Sequence, residues 1–450
     1  MISRTVERAL LALILLVYAA LAVLYAVKTP PWQVPDEPAH YNYIRQVATG
    51  GCCPEITPGD WDAAYLEDLK ASGFDPARLD DLPGVQYEDH QPPLYYLLAA
   101  PLYAATGGHL IALRLFSALL GAGAILCVYG IARAAAGSAL LALSAAAFAA
   151  FAPQHVAILA GVSNDALAEL IVSVGVWLAV RYVVQAPPAR TRYAVSFPAS
   201  MGLVIGLGLL TKASTWLLAL LIPLAVWLRW RRERRPLPDL LRAWALVLIP
   251  ALTLGALWWL RNLGVYGWPD FMGLGAHDRV VVGQLRTAEM IAQEGVGAWL
   301  GTGLRVTFQS FWGQFGWMGV PMPAWVYLAL LTFTGIAYAG LVLRAVRPRR
   351  QAAPAVFGRD SLILLAALFG LGIAQFLYYN TAFVQFQGRY LYPAMAAFAL
   401  AYAAGIDAWV GLAAERWPGL RWLTPALMFG LAGLSGYALW RFVIPNLRAW

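Results

Sequence analysis

Charge is what this sequence has least of. Only 12% of its 450 residues are Asp, Glu, Lys or Arg, against 60% hydrophobic. That is too little charge to coat a soluble protein of this length. Cysteine is almost missing, with Cys52, Cys53 and Cys127 as the whole complement. Chain neighbours such as Cys52 and Cys53 bridge only with strain, so no disulfide framework is expected. The five histidines are too scattered for any zinc spacing. There is no Walker loop and no dinucleotide fingerprint, which disfavours a nucleotide-sugar enzyme working in the cytosol. The glycine pairs Gly202-x-x-x-Gly206 and Gly121-x-Gly123 read instead as close helix packing. No Ser- or Gly-rich linker, internal repeat or separate soluble domain stands out, so residues 1–450 are expected to form one transmembrane domain.

What is present is a succession of apolar runs, each long enough to cross a hydrocarbon core with about 20 residues. They are continuous rather than alternating, which excludes a β-barrel. The expected fold class is an all-α polytopic membrane protein of about 11 transmembrane helices. The first span runs to about Val27 and is expected to be retained. The others lie near 109–133, 139–158, 165–184, 198–211, 213–230, 240–260, 323–344, 360–379, 389–411 and 422–443. The net charge of +8 does not point to nucleic acid, because the basic residues gather in short gaps between spans. Arg190 and Arg192, the run Arg229 to Arg235, and Arg344 with Arg347, Arg349 and Arg350 all fall on one face with the N-terminus. By the positive-inside rule that face is cytoplasmic, and few Lys against many Arg suggest a bacterial source, hence a bacterial inner membrane. The same basic runs are also able to contact anionic membrane lipids.

Twelve of the chain's 24 acidic residues sit in the first long outer loop, residues 29–91. A loop of that length in a compact protein is usually functional. Asp62 to Ser72 is expected to form a short surface helix capped by the aspartate. The stretch after His90-Gln91-Pro92-Pro93 is too short to span and reads as a juxtamembrane helix to Thr106. A second long outer loop covers residues 262–322 and ends in an aromatic-rich segment, with His277 and Asp278 within it.

Under this topology the notable polar residues converge on the outer face: Asp36, Glu37, His40, His90, Asn164, Asp165, Lys212, Arg389 and Tyr390. Random scatter would place them on both faces. Each has a structural role open to it. Asp36 is placed to N-cap the helix carrying His40 and Tyr41, and Glu37 to complement that helix's dipole. His40 is within reach of a hydrogen bond to Asp36, and His90 is placed to close a polar loop. Asn164 and Asp165 are placed to cap the next helix. Lys212 is placed to snorkel, and Arg389 to anchor a span or pair with an acid.

Carboxylates deprotonate hydroxyls or hold divalent cations, and Lys and Arg at membrane depth bind phosphate. The combination suits transfer of a sugar from a lipid phosphate, with the phosphate as leaving group. Asp36 is the first choice of base and Glu37 the second. A divalent cation (Mg, Mn or Ca) at Asp36 and Asp165 is a secondary expectation. Two other classes stay open: a transporter or flippase of lipid-linked sugars, and a glycan polymerase or ligase of another fold. The first would put charge near the midplane and show repeated halves, and neither is evident.

The order Asp36-Glu37, then His90-Gln91-Pro92-Pro93-Leu94-Tyr95-Tyr96, Leu113-Arg114-Leu115-Phe116-Ser117, Ser163-Asn164-Asp165, Leu210-Thr211-Lys212 and Arg389-Tyr390-Leu391-Tyr392-Pro393 resembles the GT-C superfamily of integral membrane glycosyltransferases. Within it the nearest branch is that of protein O-mannosyltransferases and aminoarabinose (ArnT-like) transferases, with bacterial predicted membrane proteins grouped beside them. The resemblance implies a polyprenyl-phosphate sugar donor and inverting transfer on the extracytoplasmic side. It puts the first-loop acid on Asp36, or failing that Glu37, and the second acidic position on Asp165 with Asn164 beside it. Lys212, Arg389 and Tyr390, with His40 and His90, take the donor-phosphate or substrate-binding positions. The second outer loop carries no inserted sugar-binding domain. This turns the expectation from a protein acceptor to a lipid or cell-envelope glycan.

Overall fold

The computed structural model describes residues 2–185, 193–346 and 357–447. Arg190, Arg192, Arg347, Arg349 and Arg350, used above for topology, lie outside the described residues. The chain is almost wholly helical: α1 (Arg4–Lys28), α2 (Glu37–Gly50), α3 (Ala63–Ser72), α4 (Leu94–Thr106), α5 (Leu110–Ala136), α6 (Ala139–Phe151), α7 (Pro153–Leu159), α8 (Asp165–Gln185), α9 (Tyr193–Leu209), α10 (Leu218–Glu233), α11 (Leu237–Tyr266), α12 (Leu274–Val280), α13 (Thr287–Glu294), α14 (Val296–Trp312), α15 (Ala324–Val346), α16 (Arg359–Ala382), α17 (Met395–Ala414) and α18 (Leu423–Ala438). A two-residue ribbon, β1 (Gln314–Phe315) with β2 (Val320–Pro321), is the one sheet among the described residues.

Nine helices among the described residues are long and apolar enough to cross a membrane. The eleven expected are therefore not all present as single long helices, and the two exceptions have local causes. The expected span 139–158 breaks into α6 and α7 with a bend of 65°. The break falls at Pro153, which has no amide to continue the helix ladder. The expected span near 198–211 is α9, which has only 17 residues and carries Pro198 inside it.

The centre of the bundle is α6, buried along its whole length from Leu141. It packs against α5, α17 and α18. Helices approach closely where a side chain would not fit. A Cβ on Gly202 would stand 2.1 Å from the Val247 carbonyl oxygen, so α9 and α11 run almost backbone to backbone. Arg232, in the basic run at the end of α10, pairs with Asp360 at 2.6 Å and donates to the Val183 carbonyl. The ends of α8 and α10 and the start of α16 thus share one end of the bundle.

The opposite end is built from the two long connections. In the first, α3 forms where expected, with Asp62 accepting from the Tyr65 amide at 2.9 Å. A small second core of Ile56, Leu66, Leu69, Phe74, Leu82 and Tyr87 holds this layer together. Cys52 and Cys53 are bonded to each other, and Arg261 donates to the Cys53 and Pro54 carbonyls at 3.0 and 2.6 Å. The second connection is more ordered than an outer loop over 262–322 implies: α11 runs on to Tyr266, and α12, α13 and α14 follow.

Candidate active site

The site begins with a buried lock. Glu37 is fully buried at the start of α2 and faces Arg114 of α5, itself 1% exposed. Arg114 Nε and Nη2 donate to the two Glu37 oxygens at 2.8 and 2.6 Å. Its remaining protons go to the carbonyls of Ala26, Thr29 and Pro30, so all five guanidinium donors are used. The amides of Trp32 and Val162 donate to the same carboxylate at 3.0 and 3.2 Å. One saturated ion pair therefore ties the end of α1, the start of α2, the middle of the first turns of α5 and the turn before α8. Such a carboxylate has no lone pair left for a substrate.

Asp36, one residue earlier, points the other way. Its backbone is left-handed, at φ 64° and ψ 1°, and its side chain makes no cap bond to α2. The capping role considered from the sequence is thus not what the carboxylate does. Oδ1 accepts from the Tyr87 hydroxyl at 2.8 Å, and Oδ2 is paired with Arg389 Nη2. A non-glycine residue held at positive φ is a cost that surrounding structure must override, and such residues gather at functional sites. Burial acts to raise the Asp36 carboxyl. Arg389 and His40 beside it, with the Tyr87 hydrogen bond, outweigh burial and hold it below the usual carboxylate range.

Arg389 comes from a 3-10 stretch, Gly388–Ala394, leading into α17. Gly388 is wedged against α14, where a Cβ would meet the Phe311 amide nitrogen at 2.3 Å, and its own amide donates to Ser310 Oγ at 2.8 Å. Only glycine allows that approach, and it fixes where Arg389 emerges. Arg389 Nη1 lies 3.8 Å from Asp165 Oδ2, and Lys212 Nζ lies 2.5 Å from Asp165 Oδ1. Lys212 sits in the turn after α9. The Leu94 amide at the start of α4 donates to Leu210 O in that same turn at 2.9 Å. The result is a chain of alternating charge, Asp36, Arg389, Asp165 and Lys212, drawn from four separate parts of the sequence.

Asp36, Arg389 and Tyr390 line a cavity of about 370 Å³ together with Trp61, Tyr87, Glu88, His277, Trp317, Tyr379, Gln385 and Gln387. Lys212 and Asp165 lie behind this wall. Several polar atoms here are buried with no hydrogen-bond partner: Arg389 Nε, Asp165 Oδ2, Asn164 Oδ1 and Glu88 Oε2. Unsatisfied buried groups are costly, and their concentration in one place marks a site prepared for a ligand. Glu88 is the one charged side chain lining the cavity with no ion-pair partner among the described residues, since Glu67 pairs with Lys70 and Asp36 with Arg389.

His40 is buried behind Asp36, its Nδ1 2.9 Å from the Tyr96 hydroxyl and its Nε2 3.5 Å from Ser163 Oγ. Burial pushes its pKa down. Asn164 is fully buried and donates at 3.4 Å to Gln91 and Tyr96. His90 does not reach the cavity wall. Its Nδ1 donates to the Tyr87 carbonyl at 3.1 Å, its ring packs on His277, and burial holds it at about 4. A divalent cation at Asp36 and Asp165 would have to displace Arg389 and Lys212. Among the described residues no three His, Cys, Asp or Glu side chains come together around one point. These residues do not fit a divalent cation.

A second cavity, about 460 Å³ and almost wholly apolar, opens between α14, α15, α16 and α17. The segment 385–391 separates it from the first. Gln385, Gln387, Arg389 and Tyr390 face the polar cavity, while Phe386 and Leu391 face the apolar one.

Residues 90–259 match the dolichyl-phosphate-mannose-protein mannosyltransferase family. Over 99% of this chain and 74% of the other, the structure is similar to ArnT from Cupriavidus metallidurans bound to undecaprenyl phosphate, at 15% identity and a TM-score of 0.50. At that identity the likeness is one of fold. Two further structures share less. The Archaeoglobus fulgidus oligosaccharyltransferase matches at 15% identity and a TM-score of 0.49, over 94% of this chain and 52% of that one. The Saccharomyces cerevisiae Pmt1–Pmt2 complex bound to its sugar donor matches at 17% identity and 0.43, over 60% of this chain. This chain spans 35% of that yeast chain. No curated protein matches.

The family match contains His90, Asn164, Asp165 and Lys212, and leaves Asp36 and Arg389 outside it. The structure nonetheless brings Asp36, Asp165, Lys212, Arg389 and Tyr390 to one place, keeps His40 directly behind them, and sends Glu37 into the lock. Sequence reasoning missed Tyr87, Glu88, Trp61, Trp317, Tyr379 and the glutamines of 385–387 as site residues. Glu88 had a signal of a kind, standing two residues before His90 in the acidic loop. The aromatics had none, because aromatic residues are plentiful throughout the chain.

Proposed function

We propose that this chain is a GT-C glycosyltransferase that moves a sugar from a polyprenyl-phosphate donor to a hydroxyl of a lipid or cell-envelope glycan, with inversion, on the extracytoplasmic face of a bacterial inner membrane. The observation that carries the proposal is the Asp36–Arg389 pair on the cavity wall, one backbone segment away from the apolar cleft. A lipid-phosphate sugar has three parts of matching character: a chain for the cleft, a phosphate for the cations, and a sugar for the aromatic and amide-lined cavity.

The chemistry follows from the charge chain. A phosphodiester donor brings negative charge to Arg389 and Lys212, both held by carboxylates until it arrives. Its oxygens compete for Arg389 and loosen that cation's grip on Asp36. The acceptor oxygen then attacks the anomeric carbon, its proton passes to Asp36, and the bond between that carbon and the phosphate oxygen breaks with the electron pair leaving on phosphate. Negative charge on the phosphate grows as the bond breaks, so the cations stabilise the transition state more than the bound donor. A single displacement of this kind inverts the anomeric configuration. The two carboxylates keep the cations in place and soluble in a partly buried site before the donor binds.

The test is sugar release from a panel of polyprenyl-phosphate sugars by the purified full chain, compared with Asp36→Asn. Asparagine tolerates a left-handed backbone, so the variant is expected to keep its fold and lose its base. Consumption of one donor by wild type, with a loss on the order of 10² or more in the variant, is the expected result. Failure of wild type to consume any donor while moving lipid-linked sugars across liposomes would replace transfer by transport.

A further inference from the structure

At the end of the bundle opposite the cavity, three helices bring arginines to one concavity of about 500 Å³. Arg4 and Arg8 come from the start of α1, Arg133 from the end of α5 and Arg181 from the end of α8. Glu7 is the one acid among them. It accepts from Arg133 Nε at 2.7 Å and from the Tyr129 hydroxyl at 2.5 Å, while Arg133 Nη1 donates to Gly137 O at 2.6 Å. No acid pairs with Arg4, Arg8 or Arg181 among the described residues. Four arginines and one glutamate leave three uncompensated positive charges around one basin.

The positive-inside rule accounts for basic residues at these helix ends. It does not account for their convergence, since charges on loops facing any direction would orient the chain as well, and like charges repel. Nor is the basin an accident of exposed side chains. Trp177 forms its floor by lying across Gly130, where a Cβ would meet the indole nitrogen at 2.8 Å. Arg181 stacks over that indole, 5.2 Å from the ring centre. Below the basin on the same face of α5, one and three turns deeper, Leu126 and Leu119 are exposed at 43% and 70%. The basin thus sits at the head of an apolar strip facing outward from the bundle.

We propose that this basin binds the phosphate headgroup of an anionic glycerophospholipid of the leaflet away from the cavity, with an acyl chain along Leu126 and Leu119. Guanidinium forks hold phosphate oxygens in pairs, and basic pockets between membrane helices suit such headgroups. The lipid would clasp α1, α5 and α8, the helices whose other ends carry the Glu37–Arg114 lock and Asp165. The site is independent of the reading of the catalytic cavity.

The experiment uses the delipidated full chain in neutral detergent, with binding of phosphatidylglycerol and phosphatidylcholine followed by native mass spectrometry and thermal unfolding. Wild type is expected to bind phosphatidylglycerol at least about tenfold more tightly, with a raised unfolding temperature. Arg181→Gln is expected to lose most of that preference. A triple lysine variant, Arg4→Lys with Arg8→Lys and Arg181→Lys, keeps the charge that orients the chain but loses the forks, and is expected to fall between the two. Equal binding of both lipids, or an unchanged preference in Arg181→Gln, would overturn the proposal. Equal stabilisation by inorganic phosphate would overturn the lipid as its source.

Discussion

Asp36 and Glu37 are chain neighbours, both acidic and both paired with arginine, yet the two pairs are built differently. Glu37 and Arg114 are saturated, with every proton and lone pair of the pair taken inside protein. Asp36 and Arg389 are under-used: Arg389 Nε has no hydrogen-bond partner, and Asp165 Oδ2 beyond it has only the long 3.8 Å ion pair to Arg389. The difference separates a pair that holds structure from a pair that awaits a ligand. Saturation decides it, more than burial does, because both arginines are under 10% exposed. The same contrast distinguishes Asp62, whose oxygen accepts at a helix cap, from Glu88, whose Oε2 is buried with no hydrogen-bond partner.

Removing one half of the saturated pair should have the largest effect. Glu37→Ala leaves Arg114 charged and buried without its counter-ion, a loss of about 3–5 kcal/mol, read as failure to express in folded form or a large drop in unfolding temperature. Asp36→Asn should do the reverse, changing the unfolding temperature little while lowering donor consumption on the order of 10². A large stability loss in Asp36→Asn, or near-normal turnover, would erase the distinction between the two pairs.

The pH dependence sharpens it further. With its pKa depressed in the fold, Asp36 contributes stability that is present above the ordinary aspartate range and lost as the pH falls through the folded value. Its function as a base should therefore persist well into mildly acidic conditions. Arg389→Gln removes the main opposing influence and leaves burial, which raises the carboxyl. The acid limb of activity should then move toward neutral pH, and the apparent affinity for the donor should weaken about tenfold or more. An acid limb that stays in place would show that Arg389 does not set the Asp36 charge. The smallest effect belongs to Asp62→Ala, a lost cap on α3 worth about 1 kcal/mol, with turnover per folded molecule unchanged.

The folding pattern was legible where composition and periodicity act locally. Apolar runs gave the spans, Asp62 gave the start of α3, and the glycines of Gly202-x-x-x-Gly206 gave close packing. The break at Pro153 was missed because the apolar run continues straight through it, and hydropathy alone does not register a lost amide. Residues 262–322 read as a loop because α12 and α13 have only 7 and 8 residues and α14 has 17, each too short to register as a span. For the site, the sequence supplied Asp36, Asp165, Lys212 and Arg389 as charges on one side of the membrane. It ranked Asp36 ahead of Glu37 without a physical reason, since the choice turns on which way one left-handed residue aims its side chain.

The sequence by itself determined that the chain is a helical membrane protein with its reactive groups at one end, because desolvation in a bilayer forces apolar runs to span and charges to the rims. The tertiary structure alone decided which charges are spent and which are free. That depends on whether carbonyls, amides and opposite charges from distant segments arrive to saturate each group, as they do at Arg114 and do not at Arg389.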